Sequence, residues 1–175
     1  MKMQIINCLS ELVKTQFGDD KWREALKRVD LNKAENYRKY VKGMDIDDGK
    51  AIELIAATAE VLGITLEQAA DAFGEHWVCT YAPRFYGNIY KRFNTVREFI
   101  EGMDRVHQEV TQHIAHSKPP RFDIEELDKN KIKVHYKSER DMIIFYIGLV
   151  KGLGKYFDTP VKIGEFSKEY VEIAF

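Results

Sequence analysis

In the first two thirds of the chain, apolar residues recur every three or four positions. Ile5, Cys8, Leu9, Leu12 and Val13 predict a helix that Gly18 stops. Asp19 or Asp20 can cap a second helix holding Trp22, Leu26 and Val29, and a weaker helical segment follows to about Met44. DIDDGKAIELIAATAEVLG opens with acidic residues and closes at Gly63, the polarity a helix dipole favours. TLEQAADAFGEHWVCTY begins with the capping box Thr65-x-x-Gln68, and Ala82-Pro83 ends or bends it. In NTVREFIEGMDRVHQEVTQHI, Thr95 and Glu98 offer a second capping box. Phe99, Met103, Val106, Val110 and Ile114 then form an apolar stripe.

After SKPPRF the period changes. KIKVHYKS and PVKIGEF alternate, YVEIAF closes the chain, and a helix from about Asp141 to Phe157 lies between the first two. Helices followed by a small antiparallel sheet with one inserted helix make an α+β fold. The 175 residues fit one domain, with SKPP as the best candidate hinge and no internal repeat.

Composition narrows the function classes. An apolar fraction of 45% with 12% aromatics supports a packed globule. With 27 basic and 28 acidic residues intermixed, the chain has no basic stripe for nucleic acid. Cys8 and Cys79 form no C-x-x-C, and their apolar helical surroundings read as buried thiols in a reducing compartment. The opening residues lack the apolar run and cleavage site of a secretory signal, and no window suits a membrane span. The expected location is the cytoplasm.

Two clues carry chemistry. His107 falls on the apolar stripe between Met103 and Val110. A lone histidine there is more often a packed core residue than a metal ligand, although it suits both. His113 and His116 share a helix face that His107 does not, so a multi-histidine site is not indicated. There is no H-E-x-x-H, glycine-rich phosphate loop or G-x-S-x-G elbow, so hydrolase chemistry has no visible apparatus. The second clue is YKSER, in which Tyr136, Ser138 and Arg140 stand two residues apart. In a strand they would share a face and converge as donors on an acidic ligand. One soft nitrogen in an apolar setting, joined to a fork for carboxylates, points to haem with an open coordination position for a gas.

At these residues the chain resembles the haem nitric oxide/oxygen binding (H-NOX) family, bacterial members of which stand alone and are related to the sensory domain of soluble guanylate cyclase. MKMQIINCL, LGITLEQAADAFGEHWV, MDRVHQEV, PPRF and YKSER carry the resemblance along essentially the whole chain. It implies a single domain, residues 1–175, with a distal helical subdomain at about 1–63, a proximal subdomain at about 64–175, and haem b buried between them. His107 is then the axial iron ligand, and Tyr136, Ser138 and Arg140 bind the propionates. Pro120 presses on the porphyrin, with Met103 also at the cofactor. Leu9, Trp77, Phe145, Leu149 and, more weakly, Ile5 line the distal wall. Oxygen-binding members carry a distal tyrosine nine residues after the tyrosine of Y-x-S-x-R. Here that position is Phe145, and neighbouring Tyr146 is rotated by about 100°.

The resemblance implies a stand-alone sensor, not an enzyme, that binds nitric oxide and carbon monoxide but holds no stable oxygen. Nitric oxide weakens the iron–His107 bond, and release of His107 signals to a separate protein, a histidine kinase or a cyclic-di-GMP enzyme. Two other readings stay open. A haem peroxidase or oxygenase lacks a distal His/Arg pair and a thiolate ligand here. In a non-haem interaction or small-ligand module, His107 would only pack.

Overall fold

The computed structural model describes residues 1–42, 45–114 and 117–175. The expected segment end at Met44, and His116 of the histidine pair, lie outside the described residues. The chain divides into two compact units, Met1–Ala69 and Ala70–Phe175.

The first unit is built on α1 (Met3–Phe17), α2 (Asp19–Arg28) and α4 (Asp48–Leu62). α1 buries Ile6, Cys8, Leu9, Leu12 and Val13, the face its spacing predicts with Ile6 in place of Ile5. Gly18, at φ 98°, both ends α1 and caps α2. Asp19 and Asp20 therefore occupy the first turn of α2, where carboxylates complement the dipole, and are not its cap. The segment expected as weak helix contains α3 (Ala34–Tyr40) and a ladder between β1 (Val41–Lys42) and β2 (Asp45–Ile46). Strands of two residues are too short for alternation to reveal. α4 starts where Asp47 accepts from the Lys50 N–H at 2.9 Å, and ends at Gly63 in the left-handed region.

α5 (Leu66–His76) opens on the reciprocal capping box: Thr65 N–H donates to Gln68 Oε1 at 2.9 Å, and Gln68 N–H to Thr65 Oγ1 at 3.2 Å. The chain then runs through a π-helical turn, Trp77–Tyr81, in which Ala82 N–H reaches back five residues to the Trp77 carbonyl at 2.8 Å. Pro83 opens α6 (Pro83–Tyr90), the position where its missing N–H is least missed. The π-helical turn inserts a residue and shifts those after it out of the 3.6-residue register. Cys79 is consequently exposed, contrary to the buried thiol its sequence context suggests, whereas Cys8 is buried as expected.

α7 (Val96–Thr111) is capped by Thr95 Oγ1, which accepts from Glu98 N–H at 3.1 Å. Phe99 and Val106 of its stripe are buried, Met103 and Val110 pack partly against the core, and Ile114 lies beyond the helix and is exposed. The sheet comprises β3 (Arg121–Asp128), β4 (Lys131–Lys137), β5 (Lys162–Phe166) and β6 (Tyr170–Ala174), antiparallel in the order β3-β4-β6-β5. β3 is not foreshadowed by the sequence pattern: it is a charged edge strand with only Phe122 buried, so it shows little alternation. Ile132, Val134 and Tyr136 of β4 and Val171 and Ile173 of β6 line the buried face, over which α7 and α8 (Ile143–Tyr156) complete the core of the second unit. Among the described residues, no helix is long and apolar enough to cross a membrane.

α8 approaches the end of α5 so closely that backbone meets backbone. A methyl group on Gly148 would overlap the Ala70 carbonyl, and one on Gly152 the Gly74 carbonyl. Gly148→Ala should therefore destabilise the protein by about 1–3 kcal/mol, seen as a lowered Tm. Gly87→Ala on α6, where nothing crowds an added Cβ, should be neutral or slightly stabilising in the same melt.

Candidate functional site

α7 carries His107 on its partly buried face. The imidazole packs on Phe122 with ring centroids 5.5 Å apart, and Nδ1 lies 3.2 Å from the Pro120 carbonyl oxygen. A carbonyl only accepts, so Nδ1 holds the proton and Nε2 is the lone-pair nitrogen of the neutral ring. Burial lowers the His107 pKa, and the Pro120 hydrogen bond and nearby Asp104 oppose that shift. The net direction favours neutral imidazole, the form that ligates metals.

The Pro120 carbonyl is held through its neighbours. Arg121 donates from Nε and Nη2 to the two Asp104 oxygens, each at 2.6 Å, and Phe122 N–H donates to Asp104 Oδ1 at 3.2 Å. The Arg121 fork, with Phe122 N–H and Gln108, keeps the Asp104 carboxyl well below the usual carboxylate range, against desolvation. Asp104 lies three residues before His107, on the same side of α7. One carboxylate thus fastens the segment that delivers Pro120 to the helix that delivers His107.

Tyr136 is buried on β4 directly opposite Phe122 of β3. β4 ends at Lys137, so Ser138 and Arg140 lie in the turn before α8, and strand alternation is not what aligns the three. The turn itself gathers them. Ser138 Oγ accepts from Arg140 N–H at 3.2 Å and hydrogen-bonds the Tyr136 side chain. Arg140 Nη1 donates to the Lys118 carbonyl at 2.7 Å, which ties the turn to the segment leading into Pro120. Asp141, at φ 53°, redirects the chain into α8.

The residues expected on the distal wall fall in both units. Ile5, partly buried, and Leu9, buried, belong to α1 in the first. Trp77, Phe145 and Leu149 belong to the second. There the Phe73 ring lies 5.9 Å from Trp77 and 5.8 Å from Phe145, and Leu149, partly buried, packs on the main core of that unit. Tyr146 turns the other way, its ring 4.8 Å from Phe122 and 5.8 Å from Tyr136. Met103 sits one turn before His107, partly buried. Among the described residues, no three His, Cys, Asp or Glu side chains gather closely enough to hold an ion by themselves.

Sequence reasoning misses Asp104, Arg121, Phe122 and Phe73. For Asp104 a signal exists, since an acid three residues before a stripe histidine faces the same way. Nothing in the sequence announces that Arg121 returns to it.

The Haem-NO-binding family matches residues 3–165. The fold is similar to that of a mutant H-NOX protein from S. oneidensis in the Fe(II) ligation state, with a TM-score of 0.85 and 20% identity, covering 99% of this chain and 95% of that one. It is also similar to a mutant T. tengcongensis H-NOX, with a TM-score of 0.76 and 25% identity, covering 98% and 94%. Soluble guanylate cyclase gcy-31 of Caenorhabditis elegans is 23% identical over 172 residues, covering 91% of this chain. The chain spans only 22% of that relative's length. With a match that runs from α1 through the His107 segment into β5, the chain belongs to the Haem-NO-binding (H-NOX) family.

Proposed function

We propose that the protein is a haem-based sensor that binds nitric oxide and carbon monoxide, with His107 as the axial ligand. The observation that carries this reading is the Nδ1 hydrogen bond from His107 to the Pro120 carbonyl, which leaves Nε2 as the lone-pair nitrogen that would hold a metal. The donor set fits haem b: one neutral imidazole for iron, a phenol, hydroxyl and guanidinium for two carboxylates, and aromatic and aliphatic side chains for the macrocycle. When bound, haem supplies the iron at which a diatomic gas is captured.

The chain's own residues do the rest. Pro120 orients His107, and Pro120 and Met103 would each meet the cofactor. Tyr136, Ser138 and Arg140 hold the propionates. Ile5, Leu9, Trp77, Phe145 and Leu149 form the distal wall, an assignment that for Ile5 and Leu9 rests on the family resemblance alone. With haem bound, release of His107 would be the signal, and the Asp104–Arg121 pair, which ties α7 to the Pro120 segment, would carry it onward. The receiver is a separate protein, a histidine kinase or a cyclic-di-GMP enzyme, and the domain itself catalyses nothing.

Three measurements test the reading. His107→Gly should lose the Soret band of haem-reconstituted protein and regain it when free imidazole is supplied. A wild-type spectrum without imidazole would assign the ligand to another residue. Arg140→Ala should release haem much faster, through a loss of about 2–5 kcal/mol, because it leaves carboxylates without their charged fork. Arg140→Lys should recover only part of it, since an ammonium cannot reproduce two parallel bonds.

The third concerns oxygen. Phe145 provides no hydroxyl, and a hydrogen bond to a charged group is worth about 1.5–3 kcal/mol, or ten- to a hundredfold in affinity. Reduced protein exposed to air should therefore oxidise slowly without a stable oxygen-bound spectrum. Persistence of such a spectrum would show that Trp77 or another donor reaches the gas.

A further inference from the structure

Tyr146 carries a buried polar atom that the proposed site leaves unused. Its side chain is 6% exposed, and its hydroxyl has no hydrogen-bond partner among the described residues. Burying an unpaired hydroxyl is unfavourable, and phenylalanine would make the same ring contacts with Phe122 and Tyr136 without it. A hydroxyl at such a position calls for an acceptor that the described residues do not provide.

Its direction indicates which acceptor. Tyr146 lies in the first turn of α8, four residues after Met142. Side chains on a helix lean toward its N-terminus, so this phenol runs back along α8 toward Met142. The Met142 backbone hydrogen-bonds the Tyr136 hydroxyl, and the turn carrying Ser138 and Arg140 enters the helix at the same end. The Tyr136 and Tyr146 rings lie 26° from parallel, and Tyr136 raises the Tyr146 pKa further after burial has already raised it, as two nearby phenols do. The N-terminus of this 14-residue helix adds a positive dipole end to the same locality.

We propose that Tyr146 is a fourth donor of the carboxylate fork, its hydroxyl donating to a haem propionate beside Tyr136, Ser138 and Arg140. The proposal rests on the haem reading above. A propionate has lone pairs enough for all four donors, so the groups do not compete.

The test compares Tyr146→Phe with wild type in three forms. Without haem, the variant should melt at the same temperature as wild type or higher, because an unpaired buried hydroxyl is removed. Loaded with haem, it should release haem to an apomyoglobin acceptor about tenfold faster, the loss of one bond to a charged group. Loaded with haem dimethyl ester, whose carboxylates are capped, the two proteins should release at the same rate.

Unchanged release of ordinary haem overturns the proposal and leaves the haem reading intact. An equal acceleration with the ester also overturns it, since the effect would not depend on the carboxylate. A lower melting temperature of the haem-free variant, with haem release unaffected, assigns the hydroxyl to a structural partner and overturns it as well. If wild type itself takes up no haem, both readings fall together.

Discussion

The hydrogen bond between His107 Nδ1 and the Pro120 carbonyl is the contact around which the second unit is organised. It selects the tautomer, fixes the plane of the imidazole and decides which nitrogen is offered to a ligand. It depends in turn on two groups that touch neither partner directly. Asp104 takes the full fork of Arg121 and the Phe122 N–H, so the residues following Pro120 cannot drift from α7. Arg140 grips the Lys118 carbonyl from the other side. The segment 118–122 is thus held at one end by the Arg140 guanidinium and at the other by the Asp104 carboxylate of α7, and the proposed axial ligand inherits its orientation from that restraint.

The same economy governs α8. Phe145 and Tyr146 are adjacent in sequence, yet one joins Phe73 and the other joins Phe122 and Tyr136. A single helical step separates the two groups. That division requires α8 to keep its rotation about its own axis. Gly148 and Gly152, lying against backbone of Ala70 and Gly74, limit that rotation more tightly than side-chain packing could.

Much of this was legible in the sequence, for reasons that differ by element. The caps at Thr65 and Thr95 are local chemistry, complete within four residues, and they appear in the structure as hydrogen bonds. The stripe of α7 and the alternation of β4 are periodic, so the α+β class follows from them. Edge strand β3 did not show, because a strand with one buried side chain has no period to read. Cys79 misled, because a π-helical turn changes the register without leaving a mark in the residue types. The spacing of Tyr136, Ser138 and Arg140 drew attention to them, but a turn and not a strand brings them together.

The sequence by itself therefore determined the longer helices, the Thr65 and Thr95 caps, the alternating strands and the residue types able to meet haem, since each is set by neighbours a few positions away. Only the tertiary structure decided that Asp104 meets Arg121, that His107 donates to Pro120, and that the Tyr146 hydroxyl is buried without a partner among the described residues. Those are contacts between segments whose separation along the chain carries no periodic signal, and their geometry exists only once the helices and the sheet have packed.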